Sequence, residues 1–312
     1  MTKFALFGAS GAIGRSVAAA LRAQNTPYRV VGRSRASLEQ AFGSDPLAEI
    51  VTWNPDDPES VRIAARGVDT IIYVVGVNYW EFSLHPQLMQ KTLDGAIAEN
   101  VKHIVLCGTV YSYGRPQTEF VSEDHPRSPH TFKGKMRKAQ EDILLAAHAN
   151  GKIKATVLRL PDFYGPGADK SLLDGVFKAA QNDKTAQMIG PIDTPHEFIF
   201  VPDAGPALVA LAKEENAYGK VWHFAGAGIT TQRKMAEKIF ETLNKKPRLM
   251  IAPPWMVRVI GWFDKFIREL VEMSYLQTTP VLMDDSALRN LLPNLHKTSY
   301  EEGIKKTLAA GG

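Results

Sequence analysis

The sequence predicts a doubly wound α/β fold, a parallel sheet with helices on both faces. Three observations carry that prediction. Short β-branched and aromatic runs alternate with helical patterns as far as Leu160. Within the first helical stretch Ile13, Val17 and Leu21 recur every four residues, one apolar stripe. A glycine-rich turn, Gly8-Ala-Ser-Gly11-Ala-Ile-Gly14, separates the first strand pattern from the first helix pattern. Alternation of this kind implies βαβ units. Right-handed crossovers then bring all strand C-termini to one sheet edge, where ligands bind.

The elements follow in order. Strands are predicted at Lys3–Phe7, Tyr28–Val31, Glu49–Trp53, Thr70–Val75, His103–Leu106 and Ala155–Leu160. Between them Ile13–Gln24, Glu59–Arg66, Pro86–Asn100 and Lys135–Asn150 read as helices. After Leu160, prolines 161, 166, 191, 195 and 202 break the rhythm. Asp203–Lys213 and Thr231–Leu243 then read as helices, and Glu197–Val201 and Val221–Phe224 as strands. Trp255–Met273 has helical apolar spacing at Met256, Val259, Ile260, Phe263, Ile267 and Leu270. It is core, a dimer face or an apolar lid. Ser299-Tyr-Glu-Glu302 has the form of a capping box opening a last helix. This gives a nucleotide-binding domain over 1–165 and a smaller part over 166–312, some of whose segments return to the first sheet.

Composition narrows the function classes. Apolar content is 45% and charged content 22%, as in an ordinary globule. The net charge of +4 with no long basic run gives no reason to expect nucleic acid. Cys107 is the only cysteine, so no intrachain disulfide forms, and its strand-end setting reads as a small core hydrophobe. The histidines are scattered without metal-ligand spacing, and no metal is expected. The strand-like run near Met1 leaves no room for a signal peptide, and no apolar run approaches a membrane span. A cytoplasmic protein without membrane contact is the expectation.

The Gly8–Gly14 turn has the strand–loop–helix setting of a pyrophosphate cradle. Gly8, Ser10, Gly11, Ala12, Ile13 and Gly14 would meet the phosphates, aided by the helix N-terminus. The second strand leads into Val31-Gly32-Arg33-Ser34-Arg35, with no acidic residue to take a ribose 2′-hydroxyl. Arg33 can instead clasp a 2′-phosphate with paired donors, with Ser34, Arg35 and Arg15 adding hydrogen bonds or charge. NADP(H) is therefore expected over NAD(H). Asn54, after the third strand, is the candidate for the adenine amino group.

Further motifs follow: Val74-Val75-Gly76, Thr109-Val-Tyr-Ser-Tyr-Gly114, Lys138-Ala-Gln-Glu141, Leu158-Arg-Leu-Pro-Asp-Phe-Tyr-Gly-Pro-Gly167 and Phe198-Ile-Phe-Val-Pro-Asp203. In this order the chain resembles the extended short-chain dehydrogenases/reductases, the NAD-dependent epimerase/dehydratase family. The motifs are specific for the fold and poorly specific for substrate. The resemblance implies a homodimer, and a cofactor running along Val75, Gly76, Leu160 and Pro161. It also implies a Ser/Thr–Tyr–Lys site, in which the hydroxyl residue orients the substrate oxygen, tyrosine moves the proton and lysine anchors the ribose. Thr109 aligns with the first and Lys138 with the third, which puts Gly134 where the tyrosine belongs.

Tyr111 is the replacement candidate. Two residues beyond Thr109, it would point the same way on a strand. It either serves as the acid or simply packs in the cleft, in which case a water held by Lys138 supplies the proton. Tyr79, Trp80, His85, Asp162, Phe163 and His196 are the candidate substrate-side residues. Their aromatic rings suit a flat or apolar small molecule better than a sugar nucleotide. Two readings stand: an NADP-dependent oxidoreductase of a small carbonyl or alcohol, and a non-catalytic NADP-binding redox sensor. Epimerase or dehydratase chemistry with no net cofactor consumption is a variant of the first.

Overall fold

The computed structural model describes residues 4–169, 171–253, 255–256, 259, 262–263 and 265–311, the side chains at 265–267 and 270 excepted. Seven strands build the central sheet: Phe4–Phe7 (β1), Tyr28–Gly32 (β2), Ala48–Thr52 (β3), Thr70–Tyr73 (β4), His103–Thr109 (β5), Lys154–Leu160 (β7) and Lys220–His223 (β11). Their order is β11-β7-β5-β4-β1-β2-β3, and every pairing is parallel. Residues of β1 alternate between faces. Phe4 and Leu6 pack with Val17 and Leu21 of helix α1 (Ala12–Ala23) and Leu208 of α7 (Val201–Lys213). Ala5 and Phe7 pack with Val61 of α3 (Pro58–Ala65), Leu93 of α4 (Leu84–Ala98) and Leu144 of α5 (Phe132–Ala149). A sheet buried on both faces needs near-continuous apolar strands, which is why β1 and β4 are buried at every position.

Strand order reverses between β1 and β4, so the loops that leave them part at the sheet's C-terminal edge and open a crevice there. Three two-stranded parallel pairs sit beyond that edge. They are β6 (Phe120–Val121) with β13 (Leu282–Met283), β8 (Asp162–Tyr164) with β10 (Phe198–Phe200), and β9 (Ala186–Ile189) with β12 (Leu249–Ala252). A separate core joins Tyr164 and Phe198 to Phe177 of α6 (Asp174–Gln181), Ile239 of α8 (Gln232–Thr242) and Ile304 of α11 (Tyr300–Ala309).

Several expectations are corrected. Arg35–Phe42 forms a helix, α2, that the sequence did not announce; Ser34 caps it by accepting from the Ser37 N–H at 3.3 Å. β5 ends at Thr109, and Val110–Ser112 is a 3-10 turn. Ser299 does cap α11, but the Glu302 carboxylate turns to Lys306 instead of completing the box. Trp255, Trp262 and Phe263 are 64%, 77% and 88% exposed, so these residues are not core. Lys3, Ile260 and the side chains of Ile267 and Leu270 lie outside the described residues. Lys265–Met273 is helix α9, and Ser286–Leu291 is α10. No described helix is long and apolar enough to cross a membrane.

Candidate active site

One cavity of about 1220 Å³ occupies the crevice. Sites for one small ligand run to roughly 300–1,000 Å³, so this volume suits two partners side by side. Gly8, Ser10, Gly11, Ala12, Ile13 and Gly14 line one end. Gly8 has φ +89°, and a Cβ there would lie 2.8 Å from the backbone of Val74 and Val75. Only glycine lets the loop pass so close to the β4 exit and turn its amides inward. Arg33, Val75, Gly76, Leu160 and Pro161 also line the wall. Trp53 joins them, its ring edge-on to Phe7 at 5.1 Å.

Thr109 and Tyr111 line the wall deeper in. The Thr109 hydroxyl oxygen accepts from the Tyr111 N–H at 3.3 Å, which leaves its own proton to donate. The Tyr111 hydroxyl lies 3.0 Å from the Tyr79 hydroxyl. Burial, with Tyr79 and Asp162 adding to it, holds the Tyr111 phenol well above the ordinary tyrosine range. Burial also raises Tyr79. Both phenols therefore keep their protons at neutral pH, the state of a proton donor.

The N-terminus of α5 runs beneath this pair. Thr131 caps it by accepting from the Gly134 N–H at 3.1 Å. That start fixes the helix phase, and Lys133, Arg137 and Glu141, four residues apart, share the buried face. Arg137 lines the cavity, donating to the Cys107 carbonyl at 2.9 Å, with His85 Nδ1 3.2 Å from its other terminal nitrogen. Burial, with the Arg137 charge beside it, pulls His85 down to about 2. The imidazole is thus neutral. The Lys133 ammonium meets Glu269 at 2.5 Å and Glu272 at 2.7 Å, both on α9, and lies 5.8 Å from the Tyr79 ring centre. Glu141 forms a buried ion pair with Arg159 at 2.5 Å. Arg159 also stacks on Tyr113 at 4.4 Å, so it ties α5 to β7 and does not face the cavity.

A model of the NAD dependent epimerase/dehydratase family matches residues 5–224. The chain belongs to that family. A dTDP-6-deoxy-L-talose 4-dehydrogenase (NAD(P)(+)) from Kitasatospora kifunensis is 25% identical over 253 residues, 77% of this chain and 78% of that protein. Among solved structures, dTDP-glucose 4,6-dehydratase from Bacillus anthracis, in complex with NAD, superposes with a TM-score of 0.83 at 16% identity, covering 100% of this chain and 96% of the other. UDP-glucuronic acid 4-epimerase from Bacillus cereus, also in complex with NAD, gives 0.78 at 17% identity, covering 99% and 98%. At such identities the structures speak for the fold alone.

Set against the Tyr-x-x-x-Lys spacing expected of an epimerase/dehydratase-family chain, the phase of α5 corrects the sequence alignment by one residue. Lys138 is off the wall, its ammonium bound to Asp142 at 2.6 Å on the outer face. Gly134 is not a vacated tyrosine position, because a Cβ there would lie 2.6 Å from the Tyr111 carbonyl oxygen and 2.8 Å from Pro129. On that helix face Lys133 is buried in its ion pairs with Glu269 and Glu272, and Arg137 is the one of the two that lines the wall. Glu141 at the next turn of the same face was the signal that could have set this phase.

Four cofactor candidates also fall outside the wall. The Asn54 side chain accepts from the Asp56 N–H, Arg35 pairs with Glu39, Ser34 caps α2, and Arg15 donates to the Ser10 carbonyl. Tyr79, Trp80, His85, Asp162, Phe163 and His196 all line the cavity. Asp162 and His196 Nε2 meet at 2.8 Å. Val271 and Met273, from the stretch read as core, dimer face or lid, line the wall, as do Tyr275 and Leu276, which the sequence did not single out.

Proposed function

We propose that the protein is an NADP-dependent oxidoreductase that reduces a small organic carbonyl compound. One observation carries this reading: a single cavity runs from a glycine cradle to a threonine–tyrosine pair that holds its proton. The cradle fits a dinucleotide: Gly8, Gly11 and Gly14 bring backbone to one end of the cavity, and a Cβ at Gly8 would press on the Val74–Val75 backbone and displace that loop. Arg33 would take the 2′-phosphate and Trp53 would flank the adenine end. NADPH supplies a hydride when bound. Thr109 then orients the substrate oxygen. As the carbonyl carbon receives the hydride and the C=O electron pair moves to oxygen, the Tyr111 hydroxyl gives that oxygen its proton. Tyr79, hydrogen-bonded to Tyr111 and partly exposed, relays to it a proton taken up from solvent, so both phenols end the cycle protonated. Arg137 sets a fixed positive charge beneath them and favours the transient phenolate.

A second reading, an NADP-binding redox sensor without turnover, draws on a specific observation: no tyrosine–lysine pair faces the cavity from α5. The deciding experiment follows oxidation of NADPH and of NADH across aldehydes, ketones and enones. Wild type and Tyr111→Phe are run side by side. A proton donor contributes about 10²–10⁴-fold, so Tyr111→Phe should lose at least a hundredfold in kcat while binding NADPH normally. Turnover that survives the substitution removes Tyr111 from its role. Tight NADPH binding with no turnover on any substrate favours the sensor, or epimerase/dehydratase chemistry without net consumption.

A further inference from the structure

The cavity's substrate half has a character of its own. Phe163, Leu172, Met188, Ile189, Val271 and Leu276 give it an apolar surface from three separate stretches of chain. Tyr79, Phe82 and Tyr111 add a packed aromatic floor, with ring centres 5.4 Å and 6.5 Å apart. Its charges are mostly negative. Among the described residues this half presents Asp162, Asp169, Asp174 and Glu272 against Arg115, an exposed side chain, and Arg137, buried beneath the tyrosine pair. The nearby ammonium groups are committed. Lys133 holds Glu269 and Glu272, and Lys178 holds Asp174 at 2.8 Å.

A nucleoside diphosphate carries its charge on oxygens that guanidinium or ammonium donors ordinarily satisfy. Here Arg137 is committed to the Cys107 carbonyl and His85, Arg115 is exposed, and elsewhere those oxygens would face carboxylates and hydrocarbon. One polar group on this wall does await a partner. The Tyr275 hydroxyl is buried and has no hydrogen-bond partner among the described residues, while its ring meets His130 edge-on at 4.6 Å. A buried hydroxyl is ordinarily satisfied, so this one is suited to a ligand oxygen.

We propose that the substrate is an uncharged aromatic or alicyclic carbonyl compound without phosphate, and that Tyr275 donates a hydrogen bond to a second oxygen on it, away from the carbonyl. This rests on the oxidoreductase reading above and narrows its substrate class. It departs from the nucleotide-linked sugars named for the relatives.

Binding without turnover separates the two ideas. Titrations of the protein, with and without saturating NADP⁺, would use 6-methoxy-2-naphthaldehyde, whose ether oxygen is the second acceptor, UDP and dTDP-glucose as probes, read by calorimetry. The aldehyde is not reduced by the oxidised cofactor, so its binding is read even if no substrate is ever turned over. The expected result is a Kd for 6-methoxy-2-naphthaldehyde of about 10–100 µM and values weaker than about 1 mM for UDP and dTDP-glucose. Tyr275→Phe, isosteric and fold-preserving, should weaken the aldehyde by about five- to tenfold and leave the nucleotides unchanged. UDP or dTDP-glucose binding tighter than about 100 µM, or no aldehyde binding, overturns the substrate class. Unaltered aldehyde affinity in Tyr275→Phe overturns the role of Tyr275.

Discussion

Arg137 and Lys138 are neighbours with opposite fates. One residue along a helix is a rotation of about 100°, enough to carry a side chain from the cavity to the outer face. Arg137 is buried and anchored to the Cys107 carbonyl, whereas Lys138 is satisfied outside by Asp142. Lys138→Ala should therefore keep kcat/KM within about twofold, the scale of a lost surface pair. Arg137→Gln should lower it at least tenfold, the cost of one misplaced charge-assisted hydrogen bond or more. Steady-state kinetics on both variants, with circular dichroism to check folding, reads this directly. Loss of turnover in Lys138→Ala alone would return the role to Lys138. The case also marks a limit of the sequence at this scale. The phosphate loop was legible because its glycines sit in a strand–loop–helix setting that fixes their direction. Lys138 drew attention by residue type, and its direction depended on where Thr131 starts the helix. Tyr111 reaches the cavity, but from a 3-10 turn and not by strand alternation.

At the scale of elements, the placement of the glycine cradle depends on how α1 meets α7. The Gly205 N–H on α7 donates to the Ser16 hydroxyl on α1 at 3.0 Å. A Cβ at Gly205 would fall 2.3 Å from the Ser16 carbonyl carbon and oxygen, a backbone contact that cannot swing aside. Gly205→Ala should therefore cost about 2–3 kcal/mol in urea unfolding, since overpacking typically costs 1–3. It should also raise the KM for NADPH by displacing α1. Gly175→Ala on α6 is the control: nothing lies within 4 Å of its Cβ, so it should be stabilising by up to about 1 kcal/mol. Equal effects of the two would deny the close crossing its role. The strands of the central sheet were readable because burial on both faces demands continuous β-branched runs. The three small pairs beyond the sheet edge were not. Residues far apart in sequence make them, as Phe120–Val121 with Leu282–Met283, and no local pattern announces such a partner.

Across the whole molecule, buried ionisable groups set how stability responds to acid. Burial holds His103 and His223 near 4, with Arg159 adding to the effect at His223, and His85 lies near 2. The unfolded chain takes up these three protons near pH 6.5 while the folded protein refuses them, so stability falls as pH drops below 6.5. Each histidine costs about 1.4 kcal/mol by pH 5.5. Glu197 acts in the opposite sense. Burial raises it to about 7, while the Met283 N–H donates to it at 3.1 Å. The unfolded carboxyl ionises above about 4.5 and the folded one does not until about 7, so acid restores stability between those values. From pH 7.5 to 5.5 that return is about 2 kcal/mol. Wild type should thus lose only about 2 kcal/mol over this interval in urea unfolding. Glu197→Gln keeps an acceptor for the Met283 amide and removes the titration. Its loss should deepen to about 4 kcal/mol, from a higher starting stability at pH 7.5. Parallel curves for the two proteins would show that Glu197 is ionised in the folded state throughout, and that the three histidines alone govern the acid limb.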